Sequence, residues 1–282
     1  MFAFLAAGLL CADEPEVWYI HGWDGLYSGE RSCKSQLTLL KAIFPSAEVS
    51  KEKWDANAQF SVCAERADKL ADSLAEKIAA LPAKRRKALI LVGHSLGGRI
   101  VIRTAARLSE KKIVIRRVIA LAAAIPIDDS DCETAFRQQS IPCINVFCSK
   151  DSALKKVYGL VGEKKSVVAL GMSGYPTISA FHRQYRKKQD AHDADEYLSC
   201  LQERIGTPSD PPVQLDVAGI HPPVREVIVP KVIEEYKDWK LGKPFRPGEY
   251  WIVDPAGYLR ESGSEGEMRK IFERIKRQLD RK

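Results

Sequence analysis

Unbroken apolar runs alternate along the first two thirds of the chain with segments whose apolar residues recur every three or four positions. Residues 17–20, 88–92, 118–123, 144–148 and 166–170 are runs of the first kind, with a shorter one at 47–50. Periodic segments lie at 35–44, where Leu37, Leu40, Lys41 and Phe44 share a face and Pro45 ends the pattern. Another lies at 64–81, where Ala67, Leu70, Ala71, Leu74, Ile78 and Leu81 form a stripe. Further helices are predicted at 99–108, 130–139 and 195–205, the last with Tyr197, Leu198 and Leu201 inward. A strand covered on both faces reads as a continuous apolar run, so runs separated by amphipathic helices predict an α/β fold built on a mostly parallel sheet.

The pattern changes at Thr207. Pro208, Pro211, Pro212, Pro222, Pro223 and Pro230 punctuate a linker or surface strap. Residues 227–241 read as holding one helix. Residues 249–254 and 258–260 read as a hairpin about the turn 255–257. Ser264 with Glu267 three positions on is a capping-box start, and Met268, Ile271, Ile275 and Leu279 would face inward from the helix it opens. The organisation expected is a main domain over 13–206 and a proline-rich linker with a small β-β-α appendage over 207–282.

Residues 1–12 are apolar and 13–16 turn acidic, the order of a signal-peptide core and a mature start. No basic leader precedes them, and a first strand plus loop is the alternative. Export to the periplasm or medium is the reading favoured over a cytoplasmic location. Later in the sequence nothing approaches the length of a membrane span.

Composition alters this picture little. Hydrophobic residues at 45% and charged residues at 29% of 282 are ordinary for a globular chain. The net charge of +7 is densest at 84–87 and 186–188. No aromatic residues interleave those spots, so they read as solvated loops and not as a nucleic-acid platform. A membrane surface or an anionic substrate remains compatible with the mild excess. The seven cysteines form no C-x-x-C pair and no cluster with metal spacing. Without Cys11 six remain, which suits disulfides such as Cys132–Cys143 or buried free thiols equally.

The candidate chemistry lies at the end of the run 88–92. Gly93-His94-Ser95-Leu96-Gly97-Gly98 follows a buried-type strand and leads into a helix. A serine at such a turn projects from the sheet with its hydroxyl exposed, and the glycines let strand and helix approach closely. A serine hydroxyl needs a base, an orienting acid and donors for a developing oxyanion. Candidates for all three sit at strand ends, where an open parallel sheet places its site. Asp151 follows the run 144–148 and is preferred as acid over Asp128 and Asp129. Of five histidines, His192 directly precedes a helix and is preferred as base over His182, while His94 is expected to point away from Ser95. The amide of Leu96 and that of Trp23, after His21-Gly22, are the candidate oxyanion donors. Residues 171–190 read as a loop long enough to be a lid.

Gly93 to Gly98, with His21-Gly22 upstream, resembles the α/β-hydrolase superfamily in its lipase and esterase branch, over about residues 17–205. The resemblance implies the α/β-hydrolase fold, a Ser-His-Asp triad, an acyl-enzyme intermediate and no cofactor. Ser95 matches the nucleophile, Leu96 the donor that follows it, and Trp23 the residue after the His-Gly pair. Asp151 and His192 match by position. The first run falls near the family's usual third strand. The function implied is a serine hydrolase acting on a small-molecule or lipid ester. Amidase, peptidase or thioesterase chemistry on the same residues, and a non-catalytic binding scaffold, stay open.

Overall fold

A computed structural model describes residues 14–24, 33–137, 140–155, 168–176, 181–189, 192–211, 232–237, 239–242, 250–253 and 259–280. The apolar start with Cys11, most of the proline segment with His221, and the turn 255–257 lie outside the described residues.

The elements of the larger sheet and its helices run β1 (Glu16–Ile20), α1 (Lys34–Ile43), β2 (Glu48–Lys51), α2 (Phe60–Ala79), α3 (Ala83–Ala88), β3 (Leu89–His94), α4 (Leu96–Glu110), β4 (Arg117–Leu121) and α5 (Ser130–Arg137). They continue with β5 (Cys143–Phe147), the single turn α6 (Leu170–Ser173), β6 (Arg183–Arg186) and α7 (Ala194–Arg204). The six strands pair in the order β2-β1-β3-β4-β5-β6, every pair parallel. Within each apolar run, alternate residues serve opposite faces. Val17, Tyr19, Ile90, Val92, Ile119 and Leu121 join Leu40, Tyr197, Leu198 and Leu201 of α1 and α7 in one core. Trp18, Ile20, Leu89, Leu91, Val118 and Ala120 join α2, α4 and α5 in the other. This is an α/β fold, a parallel sheet with helices packed on both faces. The strand order reverses between β1 and β3, which opens a crevice outside the carboxyl ends of those two strands.

Four expectations are corrected. The basic run 84–87 is the helix α3 and not a solvated loop. Its two arginines have partners: Arg85 clasps the Glu16 carboxylate at 2.6 and 2.7 Å, and Arg86 donates to the carbonyls of Ala79 and Leu81 at the end of α2. Those carbonyls are the acceptors a helix terminus leaves without internal donors.

Residues 168–170 form no sheet strand. Val168 to Gly171 run antiparallel beside Ala123 to Ile127, bonded by Ile127 N–H to Val168 O and Leu170 N–H to Ile125 O, and then turn into α6. The sixth strand is Arg-Gln-Tyr-Arg at 183–186, inside the segment read as a lid loop. Its ends are exposed and only Gln184 and Tyr185 are buried, so an edge strand hid behind a polar sequence. The outer side of β6 is not bare. Asp210 N–H donates to Gln184 O, Gln184 N–H to Ser209 Oγ, and Arg186 N–H to Asp210 Oδ2.

The six described cysteines are free thiols. Cys132 Sγ donates to Pro126 O, and Cys143 Sγ faces the carbonyls of Ala135 and Ile141. Burial pushes the Cys63 and Cys143 thiols up to about 12, so both stay protonated and inert.

The carboxyl-terminal unit carries strands where residues 227–241 suggested a helix. β7 (Val232–Tyr236), β8 (Trp239–Gly242), β9 (Tyr250–Val253) and β10 (Leu259–Gly263) form an antiparallel sheet in the order β10-β9-β8-β7, followed by α8 (Glu265–Leu279). The β-branched and aromatic residues of 232–239 favour strand, and Lys237 turns between β7 and β8 at φ 47°. Ser264 and Glu267 close the expected capping box. Leu241, Ile252, Met268 and Phe272 make the core between sheet and helix. Among the described residues, no helix is long and apolar enough to cross a membrane.

Candidate active site

Ser95 joins β3 to α4 with φ 56° and ψ −118°, a conformation that L side chains rarely adopt. Its surroundings hold it there. Ser95 N–H donates to Leu121 O, while Ser95 O accepts from Ala124 and Arg99 N–H. Strain of this kind costs about 1–3 kcal/mol and persists only where neighbours over-determine it. The same dihedrals suit glycine at the first central position of a type II′ turn. Ser95→Gly is therefore expected to be more stable than Ser95→Ala by about 1 kcal/mol, read from urea unfolding. Equal stability of the two would mean that the turn stores no strain.

Two glycines make the turn possible. A Cβ on Gly93 would lie 2.1 Å from Gly97 O, and one on Gly97 would lie 2.1 Å from Ile20 O. A third, Gly22, brings the loop after β1 against the serine, because a Cβ there would stand 2.7 Å from Ser95 Cβ.

Three side chains from different elements converge at this point. Asp151 follows β5 and is fully buried, whereas His192, just before α7, keeps 22% of its side chain exposed. His192 Nδ1 lies 2.7 Å from Asp151 Oδ2, and His192 Nε2 lies 3.0 Å from Ser95 Oγ. Asp151 also accepts from Leu154 N–H on Oδ1 at 2.9 Å and from the Tyr197 hydroxyl on Oδ2 at 2.7 Å. Burial alone would raise the Asp151 carboxyl. The hydrogen bond from His192, with the Leu154 and Tyr197 donors, outweighs it and holds the carboxyl below its ordinary value. An ionised Asp151 is purely an acceptor, so Nδ1 of His192 carries its proton and Nε2 is left to accept from Ser95. The base is fixed in sequence by the helix start behind it: Asp193 caps α7 by accepting Asp195 N–H at 2.8 Å.

The rival residues are engaged elsewhere. His182 is buried at the opposite end of β5, where its Nδ1 accepts Cys143 N–H at 3.1 Å. Asp129 pairs with Arg103 at 2.7 Å and accepts Asp131 N–H near the start of α5, and Asp128 is exposed. The His94 ring lies beside that of His192, with centres 4.8 Å apart.

Leu96 is the first residue of α4, so its N–H is outside the helix's internal ladder. The loop carrying Trp23 is anchored on both sides. Trp23 Nε1 donates to Ala58 O at 2.7 Å, its ring meets Phe60 edge-on, and Trp54 Nε1 donates to His21 O at 3.0 Å. Tyr197 was expected only as a packing residue of its helix. Its signal was available, since a buried tyrosine hydroxyl requires an acceptor. Among the described residues, no cluster of three His, Cys, Asp or Glu side chains is spaced to hold a metal.

Residues 34–178, just over half of the chain, match the family described as a protein of unknown function (DUF726). That span includes Ser95 and Asp151 and leaves out Trp23 and His192. No curated protein sequence matches. Similar solved structures include an uncharacterized protein from Bacillus cereus, at 17% identity and TM-score 0.42, over 69% of this chain and 59% of that one. The chain thus spans less than two thirds of that protein. The thioesterase of the prodiginine biosynthetic pathway in Streptomyces coelicolor matches at 10% identity and TM-score 0.39, over 68% of this chain and 86% of its own. A hyperthermophilic esterase from Pyrobaculum calidifontis matches at 14% identity and TM-score 0.40, over 74% and 76%.

Proposed function

The chain belongs to the DUF726 family, and we propose that it is a serine hydrolase that cleaves carboxylic esters of a small molecule or lipid. The observation that carries the reading is His192 bridging Ser95 Oγ at 3.0 Å and Asp151 Oδ2 at 2.7 Å, on a serine held at φ 56°. In the proposed mechanism His192 Nε2 takes the Ser95 proton as Oγ bonds to the ester carbonyl carbon. The carbonyl electron pair moves onto oxygen, which accepts from the Leu96 and Trp23 amides. Collapse breaks the bond to the alkoxide, and the Nε2 proton leaves with the alcohol. Water then gives a proton to Nε2 and attacks the acyl carbon. The second tetrahedral species expels Ser95 Oγ, which recovers the proton. Asp151 keeps the imidazole in the tautomer this cycle needs.

A fluorophosphonate probe tests the reading. Attack by Ser95 Oγ displaces fluoride and leaves a stable phosphonyl ester. Mapping is expected to find the label on Ser95 in the native protein and none in Ser95→Ala. A native protein that stays unlabelled, or that labels elsewhere, would falsify the proposal and leave a binding scaffold. Esters of graded acyl length, set against matched anilides and thioesters, then define the substrate class.

A further inference from the structure

We propose that Tyr197 is a positioning residue of this site: by donating to the same carboxylate oxygen as His192 Nδ1, it sets how strongly Asp151 draws on the imidazole. The inference rests on the hydrolase reading for its kinetic consequence, though not for its physical content.

Two donors meet on Asp151 Oδ2, the Tyr197 hydroxyl at 2.7 Å and His192 Nδ1 at 2.7 Å, while Leu154 N–H holds Oδ1 at 2.9 Å. A carboxylate offers about four lone-pair positions, and charge engaged by one donor is less available to another on the same oxygen. The hydroxyl serves as a donor only. Burial, and then the Asp151 charge, push the phenol far above its ordinary value, so it keeps its proton. Its orientation is set from several elements. Lys187, after β6, places Nζ 5.2 Å from the centre of the Tyr197 ring and is itself held by Glu196 and by the carbonyl of Gln189, each at 2.7 Å. The His94 ring stands 6.0 Å away, from the end of β3. The buried thiol of Cys148 and the half-buried one of Cys200 are the other titratable groups near it. A cation over the face of a phenol draws electron density from the ring and strengthens its O–H as a donor. Packing alone would ask for a ring at this position. The geometry asks for the hydroxyl.

The test uses the full chain with Tyr197→Phe, which keeps the ring and removes the donor, and with 3,5-difluorotyrosine at 197, which keeps the hydroxyl and makes it a stronger donor. The first readout is the proton resonance of His192 Nδ1–H, assigned with ¹⁵N-histidine and identified by its loss in His192→Gln. It is expected further downfield in Tyr197→Phe, because Asp151 then draws on a single side-chain donor, and upfield in the difluorotyrosine protein. The second readout is ester hydrolysis: kcat is expected to change while KM stays within about two-fold, and an effect confined to KM counts against the proposal. A resonance that stays put in both variants, or that is absent from the native protein, overturns the proposal, whatever happens to kcat. If Tyr197→Phe does not fold, the difluorotyrosine arm decides alone. Failure of the hydrolase reading shows separately, as a native protein that Ser95-directed fluorophosphonate does not label, and leaves the resonance test intact.

Discussion

Asp151→Asn is expected to lower kcat/KM by about a thousand- to ten-thousand-fold at neutral pH while the chain remains folded. The expectation comes from counting donors. Leu154 N–H, the Tyr197 hydroxyl and His192 Nδ1 all point at this side chain. An asparagine has one oxygen and one NH₂ group. With its oxygen toward Tyr197 and His192, the NH₂ confronts Leu154 N–H. With the amide reversed, the NH₂ confronts the imidazole, which must then carry its proton on Nε2. That tautomer cannot accept from Ser95 Oγ. Either orientation leaves a buried donor without an acceptor, at a cost of about 1–3 kcal/mol. Steady-state kinetics on a labelled ester, with urea unfolding alongside, separates the two effects. A loss below ten-fold in a folded variant would mean that Asp151 does not orient the base.

Gly97→Ala is expected to destabilise the protein by about 3 kcal/mol or more and to slow fluorophosphonate labelling by about a hundred-fold. The added Cβ would sit 2.1 Å from Ile20 O, 2.7 Å from His21 O and 2.8 Å from Ile20 C. All three are backbone atoms, so no change of rotamer relieves the contact. The first turn of α4 would have to back away from the end of β1, carrying Leu96 away from the loop at His21 to Trp23. Gly266 is the internal control. It lies in α8 with nothing within 4 Å of an added Cβ, so alanine there is expected to be neutral or stabilising. Similar effects at the two positions would mean that helix propensity, and not the close approach, decides the outcome.

The parts of this molecule that were legible in its sequence share one property: their pattern is set locally. The buried strands β1, β3, β4 and β5 stand out because both faces are covered, so nearly every residue in them is apolar. Ser95, Asp151 and His192 stand out because each follows such a run or precedes a capped helix. The parts that escaped depend on what lies alongside. β6 has a covered centre and exposed ends, and its pairing with β5 decides its conformation over a sequence that reads as polar loop. Arg85 of α3 finds its partner in Glu16, about seventy positions away, which no local pattern reveals. Tyr197 was legible as an inward residue of its helix, but the acceptor for its hydroxyl comes from the end of another strand. The hairpin of β7 and β8 was missed for a different reason. Its five- and four-residue strands are too short for periodicity to separate strand from helix.

The strip from Thr207 to Asp210 along the outer side of β6 bears on how this chain could be shortened. A cut at residue 206, where the composition changes, would strip the sheet of its last bonded neighbour and expose Gln184 and Arg186 amides that Ser209 and Asp210 now occupy. Bare strand edges template pairing with other chains. A version ending at 206 would therefore tend to self-associate through β6, whereas one ending at 211 keeps its own edge guard.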